Sequence, residues 1–159
     1  MKQSPEIKKA QDNMQPGVIT VQGFIGTDHR DLIEILDEDA NTVKKLGLTH
    51  RQIAGKMREF KEAGLKGLDE FIHVPPHFEV RVSTVRGGLR CPFEDHGMIP
   101  KSNIQVKNLK DNTSIDYTDM SIHFIGQHGF YQGKGSPYRT PPEKLAEVLE
   151  IHTDPDTQQ

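Results

Sequence analysis

The sequence predicts an α+β fold with a small, mostly antiparallel sheet, and three observations carry that expectation. Apolar and polar residues alternate along stretches of the second half, as half-buried strands require. Apolar residues recur at one-turn spacing in the first half, as helices require. The two patterns are not interleaved as regular β–α–β units, which argues against a parallel sheet. A chain of 159 residues suits one domain with its own core. The expected layout is a flexible arm over 1–16, one α+β domain over 17–152 and a flexible tail over 153–159. A helical cluster follows the first strand, and a short helix lies near the C-terminal end.

The arm is polar, lacks periodicity and ends in Gln15-Pro16-Gly17. Val18 to Ile25 is rich in β-branched and aromatic residues between glycines and reads as the first strand. Thr27 or Asp28 then caps a helix carrying Leu32, Ile33 and Leu36, and a second short helix starts near Asp39 with Val43 and Leu46. Gly47 closes that helix. Thr49 and Gln52 have the spacing of a capping box, and the helix they open places Ile53, Met57 and Phe60 on one face before Gly64. Phe78, Val80 and Val82 alternate with polar residues as a strand, entered through the extended Val74-Pro75-Pro76. Ile104 and Val106 pair with Ile115 and Tyr117 across a turn at Lys110-Asp111-Asn112. Thr118 or Asp119 caps a helix with Met120 and Phe124 that ends at Gly129. Thr140 as cap, Pro141 at the first helical position and Glu143 at the third open a final helix with Leu145, Val148 and Leu149 inside.

Composition excludes several classes. No apolar run is long enough for a membrane span, and the first residues lack the apolar stretch of a secretory signal. The single cysteine, Cys91, rules out an internal disulfide and fits a cytoplasmic protein. A formal charge of −3 argues against DNA as the partner. Residues 43–54 nevertheless resemble part of a helix-turn-helix, with Gly47 in the turn and Arg51 and Gln52 able to reach base edges. The same pattern serves any tight helical hairpin.

One constellation carries chemistry. Cys91, Asp95 and His96 precede the hairpin, and His123 and His128 follow it. A sulfur ligand, a hairpin and a helix bearing two histidines recur in Cys2His2 zinc fingers, which this quarter of the chain resembles. It departs from them in having one cysteine where they have two, so Asp95, His96 or water must complete a zinc site. The competing reading is a buried cysteine beside two unrelated histidines, because residues five apart stand about 140° apart on an ideal helix. A second cluster, Arg86, Arg90, Tyr131, Lys134, Tyr138 and Arg139, combines aromatic rings with cations on glycine-rich loops and offers a site for an anionic ligand. The competing and favoured reading is that the rings anchor the loop to the core while the cations stay solvated. Gly129 to Ser136 lacks the spacing of a phosphate-binding P-loop. The expected function is a small cytoplasmic binding or regulatory module with a Cys/His metal site, its partner an anionic small molecule or a protein. The alternatives are a small metal- or thiol-dependent hydrolase using the same cluster, or a helix-turn-helix protein.

Overall fold

Helices come first and strands second in the computed structural model, which describes residues 3–95 and 97–153. Helices α1 (Pro5–Asn13), α2 (Leu32–Lys45) and α3 (His50–Gly64) precede strands β1 (Ile72–Val74), β2 (Phe78–Leu89), β3 (Ile99–Asn108) and β4 (Thr113–Thr118). The strands form one antiparallel sheet in the order β1-β2-β3-β4. Helix α4 (Asp119–His123) runs directly into a π-helical turn over Phe124–His128, and α5 (Pro142–Val148) follows. The α+β expectation holds. Among the described residues no helix is long and apolar enough to cross a membrane.

The sheet is half-buried for the reason its sequence implies. Val80 faces Val106 and Ile104 faces Tyr117, so the inward residues of three strands meet on one face. Ile53, Met57 and Phe60 of α3 cover that face, with Leu145, Val148 and Leu149 from α5 and its C-terminal end. Each such side chain contributes about 1.5–3 kcal/mol through the water it leaves. Gly64 lets α3 approach closely, since a Cβ there would stand 2.6 Å from Val80 Cγ1. The Tyr117 hydroxyl donates to the Met57 carbonyl at 2.8 Å, which satisfies the one polar atom this large side chain brings inside. Thr49 and Gln52 form the expected capping box.

A second core lies on the other side of α4. Met14, Phe24, Ile25, Leu32 and Ile35 pack with Cys91, Met120, Phe124 and Phe130. The segment 120–131 thus serves both cores in turn: Met120, Phe124 and Phe130 point to one, and Ile122, Ile125 and Tyr131 to the other. It is a wall between them.

Four local expectations are corrected. Val18 to Ile25 forms turns and bends, not a strand. Gly17, Gly23 and Gly26 all take positive φ, and Phe24 N–H bonds to the Met14 carbonyl at 2.9 Å, so this run closes against α1 instead of a sheet. The two short helices near Leu32 and Asp39 are one continuous α2, because Asp39 is buried and paired with Arg139 instead of capping a new helix. Residues 5–13 of the expected arm are helical, capped by Ser4, with Ala10 and Met14 buried. The α5 cap is Pro141 with no side-chain bond, not Thr140. The tail expected over 153–159 lies outside the described residues except for Thr153.

Phe124 is fully buried, with edge-on contacts to Phe24 at 5.1 Å and Phe130 at 5.0 Å. Phe124→Ala is therefore expected to lose about 3–5 kcal/mol in urea denaturation at neutral pH. A loss under about 1 kcal/mol would mean that the wall segment does not bind the second core together.

Candidate metal centre

The loop after β2 supplies two of the residues. Cys91 is buried, and its carbonyl accepts from Glu94 N–H at 2.9 Å, which makes a tight turn. Glu94 takes φ 66°, and the turn brings Asp95 back beside the cysteine. Helix α1 braces this turn, as Asn13 Nδ2 donates to the Pro92 carbonyl at 2.9 Å.

The other two residues come from the wall. His123 ends α4 and His128 ends the π-helical turn. In an α-helix they would diverge by about 140°, but hydrogen bonds from residue i+5 give a wider turn that restores five-apart residues to one side. The turn stops at Gly129, whose φ of 62° suits glycine. A Cβ at that position would also meet His50 Nε2 at 2.8 Å. The rings of His123 and His128 lie 5.4 Å apart.

Four donor atoms converge. Asp95 Oδ2 accepts from His123 Nε2 at 2.7 Å and from His128 Nε2 at 2.5 Å. Cys91 Sγ lies 3.7 Å from His128 Nε2. All four ligand atoms stand within 4.8 Å of one another. Burial acts to raise the Asp95 carboxyl, but the hydrogen bonds from His128 and His123 outweigh it and hold the group below its usual range. Burial pushes the Cys91 thiol up to about 12, and the nearby Asp95 charge adds to that. Phe93 stacks on His128 with centroids 3.9 Å apart and planes 10° from parallel, which fixes that ring.

Sulfur, two imidazoles and a carboxylate are a donor set that suits a tetrahedral ion. Bonds of about 2.0–2.3 Å to one ion place neighbouring ligands about 3.3–3.7 Å apart. The Cys91–His128 distance already matches, and the two Asp95 contacts are shorter because hydrogen bonds hold them. The group could hold a metal ion once Asp95 exchanges those two hydrogen bonds for a bond to it. Of the expected ligands, Cys91, Asp95, His123 and His128 come together, and His96 lies outside the described residues. Phe93 and Asn13 were not foreseen. An aromatic residue inside the Cys91–Asp95 turn was the available signal for the first.

The second expected cluster does not assemble as one patch. Arg139 is held by both oxygens of Asp39 at 2.9 and 3.0 Å and by the Gln132 carbonyl at 2.6 Å. Lys134 lies 3.5 Å from Glu38. Tyr131 is buried, with its hydroxyl 2.9 Å from His50 Nδ1. Tyr138 lines a separate groove, Arg86 is exposed on β2, and Arg90 borders the cleft beside Cys91. The acidic residues of α2 explain the dispersal, since they take up both loop cations. In α3, Gln52 Oε1 accepts from Thr49 N–H, so that side chain is engaged in its own helix cap. No family model, curated protein or solved structure matches this chain significantly.

A depressed carboxyl contributes stability that is complete above its unfolded-state value and is lost as pH falls through its folded-state value. Asp95 is such a group. Metal-free Asp95→Asn is therefore expected to be less stable than the parent at neutral pH, with the gap closing as pH drops from about 5 to about 2. Chemical denaturation across that range measures it. A gap independent of pH contradicts the assignment.

Proposed function

We propose that this protein is a metal-binding module in which Cys91, Asp95, His123 and His128 hold one zinc ion. The convergence of those four donor atoms within 4.8 Å carries the reading. Thiolate and imidazole ligands favour zinc over magnesium or calcium, which prefer oxygen. Both imidazoles present Nε2 to the centre, so the ring protons now donated to Asp95 shift to Nδ1 or leave when the ion binds. The Cys91 proton leaves too, since the ion stabilises the thiolate that burial otherwise disfavours. The energetic balance favours the ion. Each charge-assisted hydrogen bond that must be broken is worth about 1.5–3 kcal/mol, whereas structural zinc sites contribute about 10–16 kcal/mol.

The site joins the β2–β3 connection to the wall between the cores, so its binding energy stabilises the fold at that junction. A hydrolytic use of the same ion is the second reading. It is favoured by the cleft of about 410 Å³ beside Cys91 and Asp95, and by Asp95 being the most exposed ligand at 35%. Water replacing Asp95 on the ion would be acidified and nucleophilic. A thiol nucleophile is disfavoured, because Cys91 is buried and its thiol is pushed up to about 12.

Titration of the metal-free protein with zinc is expected to give one site per chain and to release protons. Affinity should fall on acidification, because protons compete for every ligand. Cys91→Ser, His123→Ala and His128→Ala should each weaken binding by more than the 10–100-fold (about) typical of an outer-sphere change. Equal zinc affinity in the parent and all three variants would remove the basis for the site. Hydrolysis of an activated ester that appears only with zinc, and survives Asp95→Ala, would favour the second reading.

A further inference from the structure

We infer that the groove between the 19–24 segment, the far end of the β2–β3 ladder and the 137–138 turn binds a neutral, apolar small molecule carrying a carbonyl oxygen, and that Gln132 is its hydrogen-bond donor. The groove encloses about 800 Å³, well within the size of small-molecule sites, and lies apart from the Cys91 cluster. Phe24 and Met120 form buried apolar parts of its wall. Val21, Val85 and Tyr138 line it while 89%, 61% and 47% exposed, which leaves apolar surface facing water.

Gln132 marks the polar end. It lines the groove yet is only 2% exposed, and its backbone takes φ 71°, which residues other than glycine rarely adopt. Two partners hold it there. Ser136 Oγ donates to its side-chain oxygen at 2.7 Å, and Arg139, itself fixed by Asp39, donates to its backbone carbonyl at 2.6 Å. Its amide nitrogen has no partner among the described residues, and it is not sealed from the surface like the buried Thr113 hydroxyl. A buried donor held rigidly at the edge of a cavity and left without a partner matches an acceptor on a ligand. The charged residues on the groove are Lys101 and Asp116, one of each sign, so neither an anion nor a cation is selected. A carbonyl on an apolar body is the chemistry that fits both ends.

Two fluorescent probes of similar size separate the parts of this claim. One is a propionyl-dimethylaminonaphthalene dye, whose ketone accepts a hydrogen bond. The other is N-phenyl-naphthylamine, which has no carbonyl. In fluorescence titrations of the full chain, both should bind saturably at one site per chain. Gln132→Met should weaken the ketone dye by about three- to tenfold and change N-phenyl-naphthylamine by less than about twofold. Val21→Glu and Val85→Glu, at exposed positions outside both cores, should abolish binding of both dyes. Those two variants decide the matter if Gln132→Met unfolds. Absence of saturable binding, equal effects of Gln132→Met on both dyes, or full binding by the two glutamate variants would each overturn the assignment.

Discussion

Asp95 Oδ2 accepts hydrogen bonds from two imidazoles at once, and that contact sets a demand on the backbone 28 to 33 residues away in sequence. His123 and His128 must stand side by side, although their spacing in an α-helix would turn them apart. The π-helical winding over Phe124–His128 meets the demand. The same winding lets Phe124 and Ile125, adjacent in sequence, enter different cores. Gly126 permits α3 to lie against the turn, since a Cβ there would come 3.1 Å from Ala54 Cβ. The site and the packing of the wall therefore depend on one irregular stretch of backbone.

Such a turn has poorer hydrogen-bond geometry than an α-helix, so other interactions must compensate. Phe24, Phe124 and Phe130 do so on one side through edge-on aromatic contacts. On the other side, the His50–Tyr131 hydrogen bond ties the start of α3 to the residues just after Gly129. The loop opposite is held by different means. Asn13 braces Pro92 from α1, and Phe93 lies flat on His128. The candidate ligands, from two separate segments, are thus each fixed by neighbours outside the cluster, an arrangement that would preorganise a metal centre.

How much of this was legible follows from where the physics is local. The capping box at Thr49, the alternation through Phe78–Val82 and the Ile104–Tyr117 hairpin depend on near neighbours, and all three appear in the fold. Val18 to Ile25 misled because strand-forming residues cannot pair when three glycines with positive φ fold the run back onto α1. Helix α1 was illegible because few of its residues are apolar, and its burial rests on Ala10 and the adjoining Met14. Asp39 resembled a helix cap, and only the fold could reveal Arg139, a hundred residues on, as its partner. The cluster of Cys91, Asp95, His123 and His128 was visible as a set of suitable donors. The objection to it, the divergence of the two histidines, disappears only with a π-helical turn that no spacing rule announces.

The central claim is that sulfur, nitrogen and carboxylate oxygen from these four side chains share one ion. X-ray absorption at the zinc edge of the zinc-loaded protein examines that shell directly. The expected result is four-coordinate zinc with one sulfur at about 2.3 Å and three nitrogen or oxygen neighbours at about 2.0–2.2 Å, including two imidazoles. A shell of six oxygen or nitrogen neighbours without sulfur, unchanged in Cys91→Ser, would contradict it.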